Sequence, residues 1–372
     1  MTIAKLLTAA FIALALCAPT LAGAQGTLVP DTVTMETARV TAASTEQHAT
    51  VPDTGTSEEK QQLTAQVVSG PDAGKGISVE NDYAPLSVGD LFYLSHTTNA
   101  EDGTDYYSVS DAYRLNVLAA LFGVFLLLLV LFGGLQGLRG LLSLIGSIVL
   151  IVFALVPGIL HGFPPLGVSL VVASLIIILG SYITHGFNRT TSAAVLGMVA
   201  TVLITGALAY WSVSAAHFSG YSSEEMVYLN FNTHGAIDMV GLLMSGIMIG
   251  LLGVLYDIAI GQAIAVEELY GSGAHMTRAR VWQRAIRIGR EHIGALVNTL
   301  AIAYVGAALP LLLLVQSATY GLAYLINSEI FATEIVRILI GSIGLILAVP
   351  ITTLIATIML ERKKAASDSV QG

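Results

Sequence analysis

Residues 115–132 read LNVLAALFGVFLLLLVLF, eighteen positions without a single charge. At 1.5 Å per residue a helix of that length reaches about 27 Å, close to the ~30 Å hydrocarbon core of a bilayer. Six further stretches of this kind follow, at 141–160, 165–184, 192–213, 239–256, 293–315 and 338–360. The pattern predicts a mainly α membrane protein, with a seven-transmembrane-helix bundle in 115–361. The whole chain agrees, being 55% hydrophobic and 11% charged with a mean hydropathy of +0.77. A soluble domain is about 25% charged, and a chain this poor in charge cannot cover a water-facing surface.

Upstream of 115 the character reverses. Fourteen acidic residues stand against four basic ones between 25 and 115, although the chain as a whole carries a net charge of only −9. Short apolar-alternating runs at Val33–Thr41, Gln62–Val68, Ile77–Glu80, Leu91–His96 and Tyr106–Val109 are separated by Gly, Asp and Pro. Such punctuation predicts a small antiparallel β domain over 25–114, and five short strands fit an OB-like barrel. Its acidity disfavours nucleic acid as a partner. Residues 1–24 read as a signal peptide: Lys5, an apolar run over 6–16, and Ala22-Gly23-Ala24 as the cleavage site. The rival, a lipoprotein signal ending at Cys17, would need a small residue where Leu16 stands. Cys17 is the sole cysteine, so a cleaved chain has no disulfide, thiolate nucleophile or sulfur ligand.

Charge sets the expected threading. With the β domain extracytoplasmic, the inner turns carry Arg139, Arg189, Arg278, Arg280, Arg284, Arg287 and Arg290, and the basic tail 362–372 begins Arg362-Lys363-Lys364. The outer loops 161–164, 214–238 and 316–334 carry no Lys or Arg. Only Arg337 sits at an outer end, three residues after Glu334. This asymmetry predicts a bacterial inner-membrane protein with a cytoplasmic C-terminus. The segment near 276–291 places its arginines on one helical arc and Val281, Trp282, Ala285, Ile286 and Ile288 on the other, predicting an amphipathic cytoplasmic helix that lies in the lipid interface or packs on the bundle.

Polar residues within the spans are the candidates for a polar pathway or coupling site: Asp257, Glu267, Arg287, Arg290, Glu291, Asn298 and Thr299. The apolar run past Asp257 to Val266 places that acid below water level. There it serves a proton relay, pairs with Arg284, Arg287 or Arg290, or is plainly exposed at the interface. Arg287, Glu291 and Asn298 fall on one helical stripe, and Asn298 is interhelical glue or the lining of a path. Gly246 and Gly250 form a small-xxx-small face, with Tyr304 and Gly306 candidates for its contact surface. His217, Glu224, Glu225, His234 and Asp238 share an outer loop, which an ordinary solvated acidic loop explains as well as a cation site does. No Ser-His-Asp set, nucleotide loop, HExxH or carboxylate pair appears, so no enzyme activity, cofactor or metal is expected.

Several stretches carry a resemblance: 134–144 (GLQGLRGLLSL), 186–191 (GFNRTT), 253–259 (GVLYDIA) through Glu267, 289–300 (GREHIGALVNTL) with Ala303-Tyr304, and in the β domain Val88-Gly89-Asp90 and 107–114 (YSVSDAYR). Together, roughly over 115–320, they resemble the YibE/F-like family of bacterial membrane proteins. Glu291-His292 departs from the Asp and apolar residue of the family pattern, keeping the acid but altering the helix start. The resemblance implies a multi-pass topology and no established activity. Gly253 to Asp257, Glu267-Glu268 and the Arg-rich helix are also similar to a segment of resistance-nodulation-division and SecD/F-type exporters, whose large outer loop is missing here. The expected function is a permease-like or exporter-like transporter or transporter component. Its expected partners are the lipid bilayer and a homologous membrane subunit or second copy. The alternative is a non-transporting envelope scaffold or sensor that binds a partner through its outer domain.

Overall fold

The computed structural model describes residues 31–50, 57–100, 102–271, 276–316 and 320–361. The expected signal peptide and basic tail lie outside the described residues. The chain divides into two compact units, one ending at Phe132 and holding the β sheet, the other holding the helices from Gly133 onward.

All five expected strands form, as β1 (Thr32–Thr50), β2 (Ser57–Ser69), β3 (Gly76–Asn81), β4 (Leu91–Thr98) and β5 (Asp105–Ala112). They make one antiparallel sheet in the order β3-β2-β1-β4-β5. Alternate residues turn inward: Ala38 and Val40, Leu63, Ala65 and Val67, Ile77 and Val79, Phe92 and Leu94, with Leu86 closing the core. Register shifts in the β1–β2 ladder at Thr37/Ala38 and Val40/Ala42 curl the sheet. Its end strands β3 and β5 approach one another without a ladder between them. The result is a half-barrel, more open than the barrel expected.

The helices are α1 (Leu115–Leu150), a π-helical stretch at Ile151–Leu155, α2 (Val156–Leu160), α3 (Pro165–His185), α4 (Arg189–Ala215), α5 (Glu224–Asn232), α6 (Met239–Gly271), α7 (Arg278–Ala307), α8 (Leu309–Gln316), α9 (Leu322–Asn327) and α10 (Glu329–Met359). Among the described residues five helical stretches are long and apolar enough to cross a membrane, or six if the bent pair α7–α8 is one span. Inside the run Leu115–Leu160 two helices meet across a kink at Gly134 (φ 52°, ψ −143°), between the stretches expected at 115–132 and 141–160. The amphipathic segment near 276–291 forms the first half of α7 and packs against the bundle, with Val281 and Ala285 buried in the helical core. Helix α7 runs unbroken into the expected sixth span and then bends by 67° into α8. Pro310, second in α8, has no N–H to continue the ladder across the bend.

The helical core lies between α4, α6 and α10, with α3 and α7 against it. Small residues set the spacing. A Cβ at Gly197 of α4 would lie 2.9 Å from Thr352 Cα of α10, and one at Gly344 of α10 would lie 2.9 Å from Thr205 Oγ1 of α4. Close backbone approach of this kind is how helices associate where no hydrophobic effect separates protein from lipid. Three buried hydroxyls of this core bond to the preceding turn: Thr201 donates to Gly197 O and Thr205 to Thr201 O, both at 2.8 Å, and Thr353 donates to Val349 O at 2.7 Å. At one end of α10 the Glu329 carboxylate accepts from the backbone N–H groups of Ser219 (2.9 Å) and Gly220 (2.7 Å) and from the Ser219 hydroxyl (2.7 Å), tying down the loop after α4.

Candidate functional site

The residues singled out from sequence do not gather in a buried cavity. Asp257 and Glu267 on α6, and Arg287, Arg290, Glu291, Asn298 and Thr299 on α7, are all exposed on the surface of the chain. Among the described residues no ion pair joins Asp257 to Arg284, Arg287 or Arg290. The Thr299 hydroxyl donates to Ala295 O at 2.9 Å, within its own helix. Glu291 and Asn298 are seven residues apart on one continuous helix, about 10 Å along its axis, so the polar stripe does run from the arginine-rich end into the apolar part.

Glu267 lines a cavity of about 210 Å³ with His185, Asn188, Thr190 and Thr191 at the α3–α4 turn. Asn188 is the N-cap of α4, its Oδ1 accepting from the Thr191 amide at 2.7 Å while its Nδ2 donates to His185 O at 3.1 Å. Gly250 meets the Tyr304 hydroxyl directly, as the small-residue face predicted, whereas nothing lies where side chains on Gly246 or Gly306 would begin.

Two polar groupings have no counterpart in the sequence reading. The first is Gln262, buried between three helices: its Nε2 donates to Ala285 O of α7 (3.1 Å) and Thr353 Oγ1 of α10 (2.9 Å). Gly289 leaves the room for that amide, since a Cβ there would press on Gln262 and on Val349. An amide one turn beyond Asp257 in an apolar run was visible as a sequence signal, but its neighbours are 23 and 91 positions away.

The second lies in the β unit, where Glu36 on β1, Asp72 in the β2–β3 turn and His96 on β4 bring their ligand-capable atoms within 4.8 Å of one another. The outer-loop set expected as a solvated group or cation site (His217, Glu224, Glu225, His234, Asp238) is not drawn together in this way. There Asp238 accepts from the Gly241 amide at 3.0 Å, and Glu224 and Glu225 occupy the first turn of α5. Around Asp72 the Tyr107 hydroxyl donates to Oδ2 at 2.6 Å and Lys75 donates to Tyr107 at 2.6 Å. The Tyr107 bond holds the Asp72 carboxyl below the usual carboxylate range, and His96 does the same for Asp105. The ring of Tyr107 stacks on His96 with centroids 4.6 Å apart. An ionised carboxylate taken out of water costs several kcal/mol unless it is paired, and Glu36 is only 1% exposed.

A family model described as YibE/F-like protein matches residues 121–362, which is most of the helical part and none of the sheet. Neither the curated proteins nor the solved structures contain a match to the chain.

Proposed function

The chain belongs to the YibE/F-like family and is an integral membrane protein, and from that premise we propose that it is a seven-span component of a permease-like or exporter-like system. The 46-residue run Leu115–Leu160 would extend about 69 Å, more than twice the hydrocarbon core. Two spans joined at Gly134 fit that length. With the bent pair α7–α8 counted as one span, the total is seven. The arginine asymmetry then favours a bacterial inner membrane with the β domain outside and the C-terminus in the cytosol.

The observation that carries the functional reading is the exposed polar stripe of α7, in which Glu291, Asn298 and Thr299 carry polar groups on from the arginine-rich half into the apolar half of the helix. Polar and ionisable groups at membrane depth face protein or a water-filled path, not lipid. The stripe, with Asp257 as a candidate proton carrier, therefore suits a path or a coupling surface completed by a homologous subunit or a second copy. The reading assigns no catalytic residue and no nucleic-acid partner.

Cysteine labelling tests it. In a Cys17→Ser background, Asn298→Cys in native membranes should react with a water-soluble maleimide or cross-link to a neighbouring subunit, while Leu203→Cys on the apolar surface of α4 does neither. An Asn298→Cys chain that folds, stays unlabelled and forms no cross-link would place the stripe against lipid and remove the reading, leaving the scaffold or sensor role.

A further inference from the structure

Glu36, the most deeply buried carboxylate of the β unit, is poorly provided for. Its Oε1 accepts one long bond, 3.3 Å from the Asp72 amide, and its Oε2 has no hydrogen-bond partner among the described residues. The β2–β3 turn is laid directly over it: a Cβ at Gly70 would lie 2.7 Å from Glu36 Cγ and 2.8 Å from Cδ and Oε1, and Gly70 has φ +102°. Only a residue without a side chain closes this lid over the acid. Lys75 does not supply the counter-charge, since it donates to Tyr107 and reaches Asp72 Oδ2 at 3.5 Å.

His96 shows the complementary deficit. Its Nε2 is 3.0 Å from Asp105 Oδ1, a contact made by the tautomer that carries the N–H on that nitrogen. The buried Nδ1 then presents a lone pair. It lies 3.3 Å from Asp72 Oδ2, yet not in the direction of a hydrogen bond, and it has no partner. The ligand-capable atoms of Glu36, Asp72 and His96 lie within 4.8 Å of one another, and among the described residues Glu36 Oε2 and His96 Nδ1 are left without a donor, while Asp72 Oδ2 accepts from Tyr107 and Lys75.

We propose that Glu36, Asp72 and His96 bind a divalent transition-metal ion of the Zn²⁺ class. One imidazole and two carboxylates are ligands such ions take, and three protein ligands leave a position for water or a further ligand. Asp105 behind His96 is the outer carboxylate that orients a metal-binding imidazole. The donors, separated by up to 4.8 Å, would close by up to about 1.5 Å to reach the ~3.3 Å spacing of ligands around a tetrahedral ion with ~2.0 Å bonds. The ion pins β1, the β2–β3 turn and β4 together. This site lies outside the family match and does not depend on the transport reading.

The test uses the full chain in detergent or lipid nanodiscs, stripped with a chelator and titrated with Zn²⁺ by calorimetry and with Co²⁺ by its d–d absorption. One equivalent should bind, with visible bands showing nitrogen and oxygen ligands. Glu36→Gln should weaken binding at least a hundredfold. Asp105→Asn, at a more exposed position where folding is safe, should weaken it about tenfold, in line with the loss of an outer-shell partner. Absence of stoichiometric binding by the unaltered chain, or binding that both variants leave unchanged, overturns the site.

Discussion

Helices α1 and α4 are both long, apolar and free of charge over most of their length, yet no residue of α1 is buried while more than half of the membrane-length part of α4 is. The difference lies in which apolar residues they carry. From 115 to 132 the α1 sequence is dominated by Leu, Val and Phe, and Phe122, Leu127 and Leu131 stand on its exposed surface. In α4 the buried face mixes Val195, Val202, Val213 and Met198 with a majority of small residues, among them Ala193, Ala194, Gly197, Thr201, Thr205, Gly206 and Ala209. In lipid, bulk hydrophobicity does not separate inside from outside, because acyl chains are as apolar as leucine. Small residues and self-satisfied hydroxyls do, since they let backbones come close.

That contrast can be broken most decisively at Gly197. Gly197→Val drives a branched side chain into the Thr352 backbone, which cannot yield. It should cost about 3 kcal/mol, read as a large fall in the thermal midpoint of the detergent-solubilised chain; a midpoint unchanged by the substitution would refute the close α4–α10 crossing. Gln262→Leu should follow, losing roughly 1 kcal/mol by removing both hydrogen bonds that tie α6 to α7 and α10. The same thermal measurement on Gln262→Glu, which cannot donate when ionised, should show at least as large a loss. The smallest effect belongs to α1, where Leu128→Ala alters an exposed side chain and should change stability by less than about 0.5 kcal/mol. A larger loss in native membranes than in detergent would sharpen the comparison by placing a partner subunit on that face.

Legibility followed the same physics. The strands showed in the sequence because one face is packed and the other wet, so Ile77 and Val79 or Phe92 and Leu94 alternate with polar neighbours. The far half of β1 did not show, because residues 42–50 (AASTEQHAT) carry no such alternation and are held by pairing with β2. Spans were legible by length and apolarity, whereas the continuity of α7 was hidden by the switch from an arginine-rich face to an apolar run. Of the polar candidates, Asp257 and the α7 stripe could be found from sequence, but their placement on the outside of the chain could not. Gln262 and the Glu36–Asp72–His96 grouping escaped because their members come from separate strands and helices, and spacing along one element reveals ligands only when they share it.

Everything turns on the run from Leu115 to Leu160 being two passes through lipid with an inner turn beside Gly134. The direct measurement is accessibility of Leu138→Cys, in the Cys17→Ser background, to a membrane-impermeant maleimide. Labelling in inside-out vesicles and silence in right-side-out ones is the predicted result. Silence on both sides, or labelling from the side that exposes the β domain, would contradict it.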